Sequence, residues 1–135
     1  MKNMGLHDLA LVAPRTIDAR ASRAMATHAG DVLAAARVFE DLSAAVGDCG
    51  LVVGTTARGG GYRQDAVTPR AAAAEILQVA SVDNRVALVF GPEDHGLSND
   101  DLLACHRLIS IPANPAFSSL NLAQAVLVCA YEIYL

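Results

Sequence analysis

The chain has 135 residues, 53% of them hydrophobic and 18% charged, and a formal net charge of −4. That length suits one domain with a substantial core, and no apolar run approaches the roughly 20 residues of a membrane span. The acidic balance argues against a broad electropositive surface, so a nucleic-acid partner would need a local basic patch, while the high apolar share favours buried surface between subunits.

"MKNMGL" at the start reads as the last turn of a helix, with Gly5 just past its end. A helix without a beginning leads us to expect a core domain that lacks flanking sequence. Four short runs read as strands: "DLALVAP" (8–14), "CGLVVGTT" (49–56), "RVALVFG" (85–91) and "RLISIP" (107–112). They are continuously apolar, as in a parallel sheet covered by helices on both faces. Between the first two, the Ala-rich segment 19–39 predicts one helix with a short break at Gly30-Asp31. A glycine-rich loop, "ARGGGYRQDAVTP" (57–69), follows the second strand. Thr68 as N-cap and Pro69 at the first helical position open "RAAAAEILQVA". After the third strand, Ser98 followed by Asp100 and Asp101 opens "NDDLLACH". The last helix is expected to start near Ser119 and run to the end. Alternating strands and helices make this an α/β domain with a mostly parallel sheet.

Three turns follow strand ends: Gly54-Thr55-Thr56, Gly91-Pro92-Glu93, and the stretch from Pro112 to Asn121. Ligands of open α/β sheets bind at the carboxyl ends of the strands. Each loop alone reads as an ordinary turn; three together favour one pocket. No Gly-x-Gly-x-x-Gly follows the first strand, Gly59-Gly60-Gly61 lacks the Gly-Lys-Ser/Thr of a P-loop, and no Gly-x-Ser-x-Gly elbow presents a nucleophile. His7, His28, His95 and His106 show no metal-ligand spacing, so no metal is expected and all four read as surface or structural residues. Cys49, Cys105 and Cys129 form no close pair, and no basic segment leads into an apolar stretch as in a signal peptide; both suit a cytoplasmic protein with reduced thiols. Arg58, Arg63 and Arg70 flank the glycine loop, where phosphate contacts and plain solvation are equally good readings. In the last helix only Asn121, Gln124 and Glu132 are clearly polar. A helix apolar around its circumference is expected to be buried on all sides, one of them against a partner subunit. A charge at Val126 or Ala130 should then break a homodimer or make the protein insoluble.

"LVFGPEDHGLS" (88–98) resembles the second motif of the SpoU branch of the SPOUT superfamily, and "IPANPAFSSLNLAQAVLVCAYE" (111–132) resembles its third. "LVVGTTAR", "ANPAFSSLNLA" and the order of elements bring the chain closest to the TrmJ group of tRNA 2′-O-ribose methyltransferases. The resemblance implies an α/β knot, a mostly parallel sheet flanked by helices with a deep C-terminal trefoil knot, a rare exception to the rule against knots. It implies a homodimer built on the C-terminal helix, S-adenosyl-L-methionine as cofactor, and an RNA partner, tRNA at the anticodon loop. By motif position, Thr55, Thr56, Ala57, Gly91, Ile111, Ser118, Ser119 and Leu120 would line the cofactor pocket, with Gly91 admitting the cofactor because it lacks a Cβ. Ser119, Asn121 and Glu93 would arrange the catalytic centre, and Arg58 and Arg63 would contact RNA. The family's first strand and its first motif, with the Asn and arginine that serve the reacting hydroxyl, would precede Met1, and the TrmJ group's C-terminal extension is absent. Low activity of the chain as given is therefore expected. Ribosomal RNA as substrate, or an inactive module that binds RNA or cofactor, stand as the alternatives.

Overall fold

The computed structural model describes residues 1–15, 18–57 and 65–135. They fall into two compact units, Met1–Gly47 and Asp48–Leu135.

In the first unit a 3-10 turn over Lys2–Met4 ends at Gly5, whose φ of 71° lets its N–H reach the Lys2 carbonyl. The expected helix-end geometry is therefore present. Strand β1 (Ala10–Val12) follows. Helix α1 (Ala19–Met25) is capped by Asp18, whose carboxylate accepts from the N–H groups of Arg20 and Ala21. Helix α2 (Gly30–Ala34) is a single short segment, strand β2 (Arg37–Phe39) comes next, and Asp41 caps helix α3 (Leu42–Val46). β1 and β2 pair in parallel, Ala10 opposite Arg37 and Val12 opposite Phe39. Three expectations change here. The helical segment 19–39 holds two helices and a strand. Its break lies at His28, with φ 59°, while Gly30 opens α2 rather than ending a helix. The first strand is three residues long because Ala13 turns to φ 41°. β2 carries its stabilisation in contacts that a linear pattern does not display: the Arg37 guanidinium bonds Asp8 at 3.2 Å and lies 5.3 Å over the Phe39 ring.

The second unit is built on strand β3 (Cys49–Thr55). Helix α4 (Pro69–Ala80) has Thr68 as its N-cap and Pro69 in its first turn. Strand β4 (Arg85–Val89), helix α5 (Asn99–Leu103), strand β5 (Arg107–Ile109) and helix α6 (Leu122–Tyr134) complete it. The sheet order is β4-β3-β5, and both pairings are parallel. β3 is central, so Leu51, Val52, Val53 and Gly54 are buried in succession, as the continuous apolar run requires. On α4, Pro69, Ala72, Ala73 and Ile76 turn inward at helical spacing. Ile109 and Cys129 join Leu51, Val53, Ala72 and Ile76 in the core. Ser98 and Asp101 form a reciprocal capping box on α5. His106 extends the β3–β5 ladder: its N–H donates to the Val52 carbonyl at 2.8 Å, and its Nδ1 accepts from the Val52 N–H at 2.9 Å. That places the ring proton on Nε2. The structural reading of this histidine holds.

α6 starts three residues later than Ser119, and only one side of it is covered. Cys129 and Ala130 are buried, while Leu127, Val128, Tyr131 and Tyr134 are between 36% and 64% exposed. The Arg70 guanidinium makes two bonds to Glu132, at 2.9 and 3.0 Å, tying α4 to α6. Arg70 is thus committed to a carboxylate rather than held for phosphate. No helix among the described residues is long and apolar enough to cross a membrane.

Candidate active site

Three loops leave the carboxyl ends of β3, β4 and β5, and each is pinned. The Thr55 hydroxyl donates to the Val89 carbonyl at 3.0 Å, and the Thr56 N–H donates to the Ile109 carbonyl at 2.9 Å. The end of β3 is therefore clamped to both neighbouring strands. The loop after β4 closes on itself through the Gly96 N–H, 2.8 Å from the Pro92 carbonyl, with Gly96 at φ 70°. Gly91 lies against the Gly96–Leu97 peptide, where a Cβ would fall 2.6 Å from the Gly96 oxygen. The absent side chain serves the loop's own closure, a role that differs from the expected one of admitting a cofactor. In the third loop Asn114 turns the chain: its Oδ1 accepts from the Ala116 N–H at 3.0 Å, and its carbonyl accepts from the Phe117 N–H at 2.8 Å.

The start of α6 joins the second and third loops. Asn121 Oδ1 accepts from the N–H groups of Ala123 and Gln124, at 2.9 and 3.4 Å. Glu93 Oε1 accepts from the Leu122 N–H at 3.2 Å. Three donors at the positive end of a helix are thus satisfied by two side chains, one of them a carboxylate from another loop.

Together the loops enclose a cavity of about 310 Å³. All eight residues expected around a cofactor, Thr55, Thr56, Ala57, Gly91, Ile111, Ser118, Ser119 and Leu120, are in its wall. Of the three expected in the catalytic centre, Glu93 and Ser119 line it, and Asn121 stands outside it as the α6 cap. Arg58 and Arg63 lie outside the described residues. The structure adds Phe90, Ile109 and Leu122 as apolar wall, and Asp94 and His95 at the rim, with His95 Nδ1 2.7 Å from Asp94 Oδ1. His95 had read as a surface residue. Its place between Asp94 and Gly96 in a strand-end loop was the available signal. Among the described residues no lysine or arginine lines the cavity, and no group of three or more His, Cys, Asp or Glu side chains is placed to hold a metal. Cys105, close behind Gly54, has its thiol pushed up to about 11, first by burial and then by the Asp101 charge, so it is no nucleophile near neutrality.

A parallel α/β sheet whose strand-end loops enclose a mixed apolar and small-polar cavity defines a small-molecule binding domain. Residues 1–131 match the SpoU rRNA methylase family, and the chain belongs to it. It is 42% identical over 133 residues to a protein of Haemophilus influenzae named an uncharacterized tRNA/rRNA methyltransferase, covering 98% of this chain and 54% of that one. It is 43% identical to the tRNA (cytidine/uridine/adenosine-2′-O-)-methyltransferase TrmJ of Pseudomonas aeruginosa, covering 98% of this chain and 52% of the relative. The crystal structure of TrmJ from Z. mobilis superposes with a TM-score of 0.92 at 44% identity, over 99% of this chain and 59% of that one. The likeness to the TrmJ group is borne out, and the chain spans about half the length of the curated relatives it matches.

Proposed function

We propose that the chain is the methyltransferase domain of an S-adenosylmethionine-dependent RNA 2′-O-ribose methyltransferase that acts on tRNA in the cytoplasm, at the anticodon loop. The observation that carries this is the convergence of the three motif loops on one cavity. Its composition fits the cofactor. Ile111 and Leu120 offer apolar walls to a flat heterocycle, while Thr55, Thr56, Ser118 and Ser119 offer small polar groups. The volume is at the small end of the ordinary range for ligand sites. When bound, S-adenosylmethionine supplies a methyl group activated by a sulfonium. Glu93 and Asn121 act as positioning residues, since both are spent on the end of α6 and fix the Ser118–Leu120 segment against the loop after β4. Such positioning suits a displacement whose rate depends on holding oxygen, methyl and sulfur in line. Arg58 and Arg63 would meet RNA phosphates from the glycine loop. The deep trefoil knot and a homodimer through α6 belong to the same proposal.

Calorimetry with S-adenosylhomocysteine should show saturable binding by this chain, and a protein that also carries the family's first motif should pass labelled methyl groups to tRNA. Binding of a nicotinamide or flavin instead would sink the proposal. Transfer to ribosomal RNA alone would move the substrate, and cofactor binding without transfer to any RNA would leave a binding module.

A further inference from the structure

Phe117 immediately precedes Ser118 of the cavity wall, and it is 80% exposed. The chain has no tryptophan and only three phenylalanines, so one of its few large rings stands in water beside the cavity. The ring is not on a slack loop. Pro112 and Pro115 restrict the backbone on either side of Asn114, and Asn114 takes the N–H groups of both Ala116 and Phe117. A ring on a fixed backbone loses little freedom when something stacks on it.

Charge narrows what that something is. The described wall of the cavity carries Glu93 and Asp94 and no lysine or arginine. A polyanion gains no attraction from these described residues, so the contacts they offer at the mouth are neutral ones. A ribose presented to the cavity brings its base and the adjacent bases with it. Unpaired bases in RNA loops stack on aromatic side chains, whereas paired bases are already stacked on each other.

We infer that Phe117 is a stacking platform for an unpaired nucleobase of the RNA, at or next to the nucleotide whose ribose enters the cavity. This rests on the function proposed above and adds a contact that selects single-stranded loops over duplex.

The test uses the full chain, RNA stem-loops carrying 2-aminopurine at successive loop positions, and a duplex of the same sequence. The unmodified protein should change the fluorescence at one loop position or two adjacent ones and bind the duplex more weakly. Phe117→Ala should abolish that change and weaken stem-loop binding by about 5- to 150-fold. Phe117→Trp should restore both, and S-adenosylhomocysteine affinity should be the same in all three proteins. An alanine variant with undiminished affinity and signal overturns the inference. So does an alanine variant whose mass in light scattering falls to that of one chain, because Phe117 would then be a subunit contact. If the unmodified protein binds S-adenosylhomocysteine but no stem-loop, the platform fails while the cofactor site stands; if it binds neither, the proposed function fails too.

Discussion

One added carbon at Gly91 would collide with the Gly96–Leu97 peptide, which is backbone and cannot swing aside. Gly91→Ala should therefore lower the melting temperature, by the equivalent of about 1–3 kcal/mol typical of overpacking, and weaken S-adenosylhomocysteine as the loop shifts. Gly91→Val, which the motif alone suggests would spare the fold, should be worse on both counts. A valine variant that melts normally and loses only cofactor affinity would restore the simpler role. Glu132 gives a second test at this scale. The Arg70 hydrogen bonds hold its carboxyl below the ordinary value. A carboxyl lowered by folding leaves the unfolded chain binding more protons between the two pKa values, so stability rises with pH across that window. The contribution is complete above the ordinary glutamate range and is lost as pH falls through the folded value. Glu132→Gln should thus flatten the acid limb of urea midpoints measured from neutral pH downward. Arg70 is largely exposed, so added salt should shrink the difference. The sequence pointed to Thr55, Ser118 and Leu120 through motif position, because family motifs record residue types at fixed offsets. It could not reveal the partners of Gly91, Arg70 or His106, because those contacts join residues far apart in the chain or depend on how a loop closes.

At the level of elements, caps decided what was legible. Thr68-Pro69 and Ser98 mark α4 and α5 plainly, because each is a capping residue with a helix-compatible successor. The start of α6 was misplaced because Ser118, Ser119 and Asn121 are all good capping types, and their side-chain types alone do not show that Asn121 is the one that bonds the first turn, beside the Glu93 contact to Leu122. β2 was missed because three residues after an alanine run carry too little pattern to separate strand from helix. The capping assignment is testable. Asn121→Ala should cost about 1 kcal/mol, and Asn121→Asp, which keeps the acceptor, should cost much less; equal losses in chemical denaturation would mean that the amide acts elsewhere. Packing of α6 on its inner side makes a separate prediction. Cys129 is fully buried, and burial pushes its thiol up to about 11. It should resist an aromatic disulfide reagent in the native protein and react at once in denaturant. Fast native labelling at Cys129 would mean that α6 opens away from the sheet on the timescale of the reaction.

For the molecule as a whole, α6 sets the question of assembly. Sequence alone suggested a helix buried all round, but within one chain it has an inner face at Cys129 and Ala130 and an outer face at Leu127, Val128, Tyr131 and Tyr134. The outer residues recur at helical spacing, so they form one stripe, and a stripe of large apolar side chains marks a contact surface. A stripe on one helix is self-complementary about a two-fold axis, the commonest symmetry of homo-oligomers. This face, rather than the whole helix, is the proposed dimer surface, and it changes which substitutions test it. A charge at Ala130, or at half-buried Val126, would enter the protomer's own packing and report on folding. A charge at Val128 or Tyr131 leaves that packing alone. Val128→Asp and Tyr131→Glu should therefore keep the native melting cooperativity and the circular dichroism of the fold while light scattering falls from two chains to one. The helix that carries the stripe also begins at the cavity, because Leu122 at its start is a wall residue whose N–H is held by Glu93. Separation of the subunits should then weaken S-adenosylhomocysteine binding as well. A soluble single chain for the unmodified protein at micromolar concentration would remove the dimer from the proposal and leave the outer face of α6 for a different partner.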